Sequence, residues 1–323
     1  MFQYITFVLA VCYCTTVFGQ QATLDWKLHN VGKVRQVVTN VGGLNAKYDN
    51  AFDFRGLINS EFPPGSREEH ITEGGIWIGA VVGNDTLVSV TYGESSPREF
   101  YPTNAPWDTI WVVSRGDTAN IPYWPKYVGV SDQDFVCRYS DYNPPSLRVS
   151  THTPLYLDVI QTSYAWSSHP LDEFIIFNYY IVPKRIDLQQ VFLTSWYNGN
   201  VGYGLTDAHG LDDESFFIKE KMLSVSIDLP GGEDGNAFSP VAMKVFPPSP
   251  NPQSLTYIWY NGRMQGVPSR DADRYRQMID GHIMEPQSSS GDGTKSMVSF
   301  GPYGASVGDT LHFMVALVLG EGM

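Results

Sequence analysis

Apolar positions in this chain fall into short runs, not into long helical stripes. They are densest between Leu155 and Asp213. Leu155-Tyr156-Leu157-Asp158-Val159-Ile160 leads on to Trp166, Phe174 to Val182 forms a second run, and Val191 to Trp196 a third. β-Branched and aromatic residues dominate, and each run has the length of a strand. The pattern predicts a three-strand meander that breaks into a polar, acidic loop from Asn198 to Asp213.

Similar runs recur on both sides. Leu24 to Leu44 is Val-rich and turn-punctuated, which favours strand over helix for 33–39. Gly74 to Val82 pairs with Thr86 to Tyr92 across Gly83-Asn84-Asp85, residues that suit a tight hairpin loop. The paired glycines at 74 and 75 predict a close backbone approach or a bulge. Trp107 to Val113 alternates as a strand. Phe216 to Ile218, Met222 to Ile227, Val241 to Phe246 and Thr256 to Tyr260 follow, and Thr310 to Leu319 is a buried strand near the end.

One segment has helical spacing, from about Ser269 to Ile279. Ser269 can cap it, Asp271 and Asp273 suit its first turn, and Gly281 lies beyond its end. Tyr275, Met278 and Ile279 share a face, so its job is packing. The fold class is therefore all-β. We expect a large β-sandwich-like domain with long Pro and aromatic loops and one short helix near 269–279.

The first 19 residues change the picture of location. Ile5 to Val11 is an apolar core too short to span a bilayer, and small residues precede Gln20, as in a secretory signal. This leaves 304 of the 323 residues as one β-rich domain, residues 20–323, with a possible subdivision near 145–153. Of three cysteines only Cys137 lies outside the signal, so no intrachain disulfide staples the secreted part. Phe135-Val136-Cys137 reads as a buried strand with an inert thiol. The net charge of −13 argues against nucleic acid and anionic membranes as partners, and no second apolar stretch is long enough for a membrane span.

Chemistry concentrates in the acidic loop. Hard cations such as calcium take carboxylate, amide and carbonyl oxygens. Asp207, Asp212 and Asp213 supply charge there, with Asn198 or Asn200 as neutral ligands. The metal candidates are thus Asn200, Asp207, Asp212 and Asp213. A solvated turn with local Asx bonds is the competing reading.

Catalytic motifs are missing: there is no HExxH, no G-x-S-x-G, no P-loop and no dinucleotide fingerprint. A glycosidase pair could be drawn from Asp172, Glu173, Asp212 and Asp213, but that chemistry needs a defined separation across a cleft. The Pro- and Trp-rich segment from Phe100 to Pro125 either clamps loops to a sheet or offers a sugar-stacking platform, and the clamp is favoured.

Several of these segments resemble a family of uncharacterised bacterial secreted proteins. The resemblance rests on Gly74 to Ala80 with Gly83 to Val88, Val159 to Ser167, Asp172 to Phe177, Ser299 to Tyr303, Gly308-Asp309-Thr310 and Val315-Ala316-Leu317. Such proteins often continue into a sorting module for type IX secretion, so this chain resembles a fragment. Aspartates are typical of the family where this chain has Asn198 and Asn200. The resemblance implies an extracellular or outer-surface location and no mechanism. The sequence thus points to a non-catalytic secreted or surface protein, structural or adhesive. Its expected partners are polysaccharide or other surface proteins. A carbohydrate-active hydrolase using two carboxylates is the alternative.

Overall fold

The computed structural model describes residues 23–44, 51–52, 57–58, 60–93, 97–203, 212–230, 237, 239–260, 266–286 and 295–320. The signal segment, residues 1–19, lies outside them.

The chain opens with a ribbon of β1 (Trp26–His29) and β2 (Gln36–Thr39), strand as expected. The short β3 (Glu68–Glu69) precedes the hairpin of β4 (Glu73–Val82) and β5 (Asp85–Val90). Next come β6 (Trp111–Val113), β7 (Thr118–Ile121), β8 (Trp124–Val128) and β9 (Gln133–Ser140). The central run gives β10 (Leu157–Ala165), β11 (Phe174–Pro183) and β12 (Leu188–Asn198). After these lie β13 (Gly202–Tyr203), β14 (Glu214–Ile218), β15 (Leu223–Ile227), β16 (Val241–Phe246) and β17 (Ser254–Tyr260). The helix α1 (Asp271–Met278), then β18 (Lys295–Ala305) and β19 (Leu311–Leu319), are the last described elements.

Two antiparallel sheets dominate. One has eight strands in the order β14-β15-β16-β19-β11-β10-β9-β6, the other five in the order β17-β18-β12-β4-β5. The main core lies between them, with Ile78, Val159, Phe177, Leu193, Phe300, Phe313 and Leu317 all at most 1% exposed. Burying one such side chain contributes roughly 1.5–3 kcal/mol. This is the all-β sandwich that the alternation predicted.

The two outer faces are also covered. Helix α1 packs Tyr275 and Met278 behind the five-stranded sheet, against Trp77, Phe192 and Trp196. Gly79 makes room for them, since a Cβ there would lie 2.9 Å from the Tyr275 ring. Arg270, not Ser269, occupies the N-cap position, and Ile279 is 42% exposed beyond the packed face. On the other side, the β7–β8 hairpin folds onto the eight-stranded sheet and clamps Trp111, Tyr123 and Trp124 over Tyr164 and Val136. Within the Phe100 to Pro125 segment Trp107 is exposed, at 42%, whereas Trp111 and Trp124 are half-buried.

The expected three-strand meander is not formed. β10 and β11 pair in the eight-stranded sheet, whereas β12 crosses into the five-stranded one. The reason lies in β12 itself. Phe192 and Trp196 face the helix side, while Leu193 and Tyr197 face the main core. A strand buried on both faces needs neighbours on both edges, and its apolar run does not say which sheet supplies them.

Among the described residues, no helix is long and apolar enough to cross a membrane.

Candidate cation site

The hairpin of β14 and β15 pairs Glu214 with Ile227 as its last register pair. Continuing that register by one residue sets Asp213 beside Asp228. Oxygens of Asp212, Asp213 and Asp228 all lie within 4.8 Å of one another. Asp213 is buried at 2% exposure, and the other two are half-buried.

The end of β12 lies against this hairpin. Val201 donates its backbone N–H to Asp213 Oδ2 over 2.8 Å. Gly199 is pressed on Ser226, so that a Cβ there would collide with the Ser226 side chain. Thr72 N–H donates to the Asn198 carbonyl at 3.2 Å, tying the same segment to the strand leading into β4. On the far side, Ala237 N–H donates to Asp228 Oδ2 at 2.5 Å. The backbone thus fixes one oxygen each of Asp213 and Asp228.

Two features suit a cation. Three carboxylates this close repel by ~3 kcal/mol per pair at an effective dielectric of about 20, a cost that a divalent ion reverses. The side-chain oxygens Asn200 Oδ1 and Asp212 Oδ2 are moreover buried without any hydrogen-bond partner. Asn198 Oδ1 is unpartnered as well, but strand alternation puts it on the face of Phe192 and Trp196, opposite to Tyr197, which meets Ser224 of β15. An orphan buried acceptor costs about 1–3 kcal/mol. Carboxylate and amide oxygens are the donor set that calcium prefers, and they are poor ligands for soft metals.

Of the residues nominated from sequence, Asp212 and Asp213 come together, and Asn200 sits on the adjoining segment. Asp207 lies outside the described residues. Asp228 was missed. Fifteen residues from Asp213, it is reachable only by reading Ser215 to Ile218 and Leu223 to Ser226 as one hairpin and extending the register.

The other carboxylate group is different. Asp172 and Glu173 face Lys33, whose Nζ is 2.7 Å from Glu173 and 3.9 Å from Asp172. Lys33 thus already neutralises part of that cluster. β11 and β14 are four strand spacings apart, roughly 19 Å. Glycoside chemistry needs about 5–9.5 Å between its two carboxyl groups, so these two clusters do not make such a pair.

A nucleophile-like arrangement also exists. His29 Nε2 is 2.7 Å from Ser163 Oγ and its Nδ1 is 3.0 Å from Gln133 Oε1. His29 and Ser163 are both fully buried, so no substrate reaches the hydroxyl. Burial pulls the imidazole down to about 3, against the hydrogen bond to Gln133 Oε1 that raises it. The group ties β1 to the eight-stranded sheet. Cys137 is likewise buried, and burial pushes its thiol far above the usual range.

No family model matches the sequence, and no curated protein matches it. Among solved structures, the chain is similar to a protein described as an aldose 1-epimerase from Escherichia coli K12. The identity is 8%, the TM-score 0.39, and the match covers 93% of this chain and 100% of that one. It is also similar to a GalM/aldose epimerase homologue from C. elegans, at 6% identity and TM-score 0.40, covering 94% and 100%. A third likeness is to a family GH92 inverting mannosidase from Bacteroides thetaiotaomicron VPI-5482, at 10% identity and TM-score 0.26, covering 71% of this chain and 30% of that one. Nothing about activity follows from likenesses this distant.

Proposed function

We propose that this chain is a secreted, non-catalytic β-sandwich of the cell exterior, structural or adhesive in role, that holds a calcium ion and binds polysaccharide. The convergence of Asp212, Asp213 and Asp228 carries the reading, with the orphan amide oxygen of Asn200 one residue from the Val201 N–H that holds Asp213. A secreted chain whose one cysteine beyond the signal is buried and free has no disulfide to brace its loops. A cation bridging the end of β12 to the β14–β15 hairpin supplies that brace, and calcium is abundant outside cells. The acidic balance of the chain suits the same surroundings. The short apolar segment at 5–11 supports export.

The alternative, a hydrolase with two carboxylates, is disfavoured by the separation of the two acidic clusters and by Lys33 in one of them. A glycan array run alongside a hydrolysis screen tests the choice on the purified protein, with calcium present. Binding without turnover is the expected result. Turnover of any bound glycan overturns the non-catalytic reading.

A further inference from the structure

We propose that the pocket between the β14–β15 turn and the start of β17 binds a uronate unit, a sugar that carries a carboxylate, with Lys219 as its counter-ion. The inference rests on the polysaccharide-binding reading and gives it a location and a ligand class.

β14 and β17 are end strands of the two main sheets, and Phe217 stacks on Tyr257 at 5.1 Å where they meet. A cavity of about 540 Å³ opens along that edge. Its volume falls within the roughly 300–1,000 Å³ of small-ligand sites. Lys219, Asn251, Gln253 and Gly281 line it and are exposed, so a ligand enters directly from solvent. The cation site lies at the other end of the same hairpin, beyond the Glu214–Ile227 pair, whereas Lys219 follows the Ile218–Leu223 pair.

Hydrogen bonds hold the walls in place. Met222, at a left-handed φ of +53, donates its N–H to the Lys219 carbonyl at 3.0 Å and accepts the Val245 N–H at 3.0 Å. Lys244 donates to the Lys221 carbonyl on the same turn. On the opposite wall Ser254 pairs with Gly301 of β18. Gly281 donates its N–H to Thr256 Oγ1 at 2.8 Å, and Tyr257 donates to the His282 carbonyl at 2.9 Å. Gly281 has φ +74, and a Cβ there would stand 3.3 Å from Ser254 Oγ and narrow the pocket. A site formed in advance costs its ligand little ordering.

The lining fits a pyranose. Met222, Leu255 and Ile283 give an apolar floor that is continuous with the main core. Asn251 and Gln253 bring amides and Ser254 a hydroxyl, which donate to and accept from sugar hydroxyls while the C–H face rests on the floor. Lys219 is the one charged residue lining the pocket, in a chain of net charge −13. Among the described residues no carboxylate pairs with it. A neutral sugar leaves that ammonium to water, whereas a carboxylate on the ring engages it together with the amides and the floor.

Calorimetric titration of the calcium-loaded protein tests the assignment. Glucuronate-branched xylo-oligosaccharides and hyaluronan oligosaccharides supply uronate on two backbones, and unbranched xylo-oligosaccharides are the neutral comparator. Wild type should bind at least one uronate probe at least tenfold more tightly than the neutral one, and added salt should shrink the difference. Lys219→Met should lose that tenfold advantage, and Lys219→Arg should stay within threefold of wild type. Lys221→Met, exposed on the same turn but outside the lining, should stay within twofold. All three variants should melt with the wild type, since these side chains are exposed. A uronate preference that K219M retains, an equal loss in K221M, or equal binding of acidic and neutral probes by the wild type overturns the subsite and leaves the polysaccharide reading standing. Failure of the wild type to bind any probe overturns the subsite, and a glycan array that is also blank overturns the polysaccharide reading with it.

Discussion

Arg274 on α1 and Glu99, 175 residues apart in sequence, form an ion pair at 3.5 Å with both side chains only 1% exposed. His152 Nδ1 lies 3.4 Å from the other oxygen of Glu99. Glu99 also accepts the Val90 N–H at 2.8 Å, and the Arg274 guanidinium lies 5.6 Å from the centre of the Trp77 ring. Helix α1 is thus fastened to the five-stranded sheet by buried charge as well as by Tyr275 and Met278. Removing one partner leaves a buried charge exposed to a low dielectric. Arg274→Met should cost about 3–5 kcal/mol in urea unfolding. Arg276→Met, on the same helix but 74% exposed, should stay within about 0.5 kcal/mol. Equal effects of the two would show that the pair does not anchor the helix.

Acid dependence is a balance of opposed groups. Burial, with Glu99 nearby, pushes Asp271 up to about 6, and burial does the same to Asp141 against three donors. Burial alone would lower His152, but Glu99 and Asp141 lift it above its usual value. Each of these contributes stability that is complete below its unfolded pKa and lost as pH rises through its folded one. His29 and His70, pulled by burial to about 3 and about 4, act oppositely: their stability is present above about 6.5 and lost as pH falls. The wild type should therefore change little in stability between pH 6 and 4. Asp271→Asn removes one group of the first kind. Relative to wild type, this variant should lose on the order of 1 kcal/mol per pH unit as pH falls from 6 to 4, by denaturant titration at each pH. A constant difference across that range would refute the placement of Asp271.

Two glycines with positive φ make a paired test. Gly42 has φ +80, and a Cβ there would lie 2.6 Å from the Tyr139 hydroxyl and close to Thr91. Gly83 has φ +62 in the β4–β5 turn, with nothing within 4 Å. Gly83→Ala should cost about 1 kcal/mol, the conformational part alone. Gly42→Ala should cost clearly more, because the neighbours must move as well. Thermal melts of the two variants would settle the order.

The carboxylates themselves divide by role. Asp228→Asn and Asp213→Asn should each weaken calcium binding at least tenfold, whereas Asp172→Asn, in the cluster that Lys33 pairs with, should not change it. An equal loss in all three would mean that general surface charge, not this site, attracts the ion.

Much of the fold was legible because its signals are local. The Gly83-Asn84 turn, the strand at the end of the chain and the helix that became α1 all declare themselves within a few residues. The destination of β12 did not, since Phe192, Leu193, Trp196 and Tyr197 are apolar on both faces. Asp212 and Asp213 could be nominated from an acidic loop, but Asp228 required the register of a hairpin that straddles Glu220.

Calcium titration of the chelator-stripped wild-type protein tests the central claim most directly, with heat and melting temperature as the two readouts. The account predicts saturable heat for one site, with a dissociation constant of about a millimolar or tighter, and a melting temperature that rises with calcium. No heat and an unchanged melting temperature would contradict it.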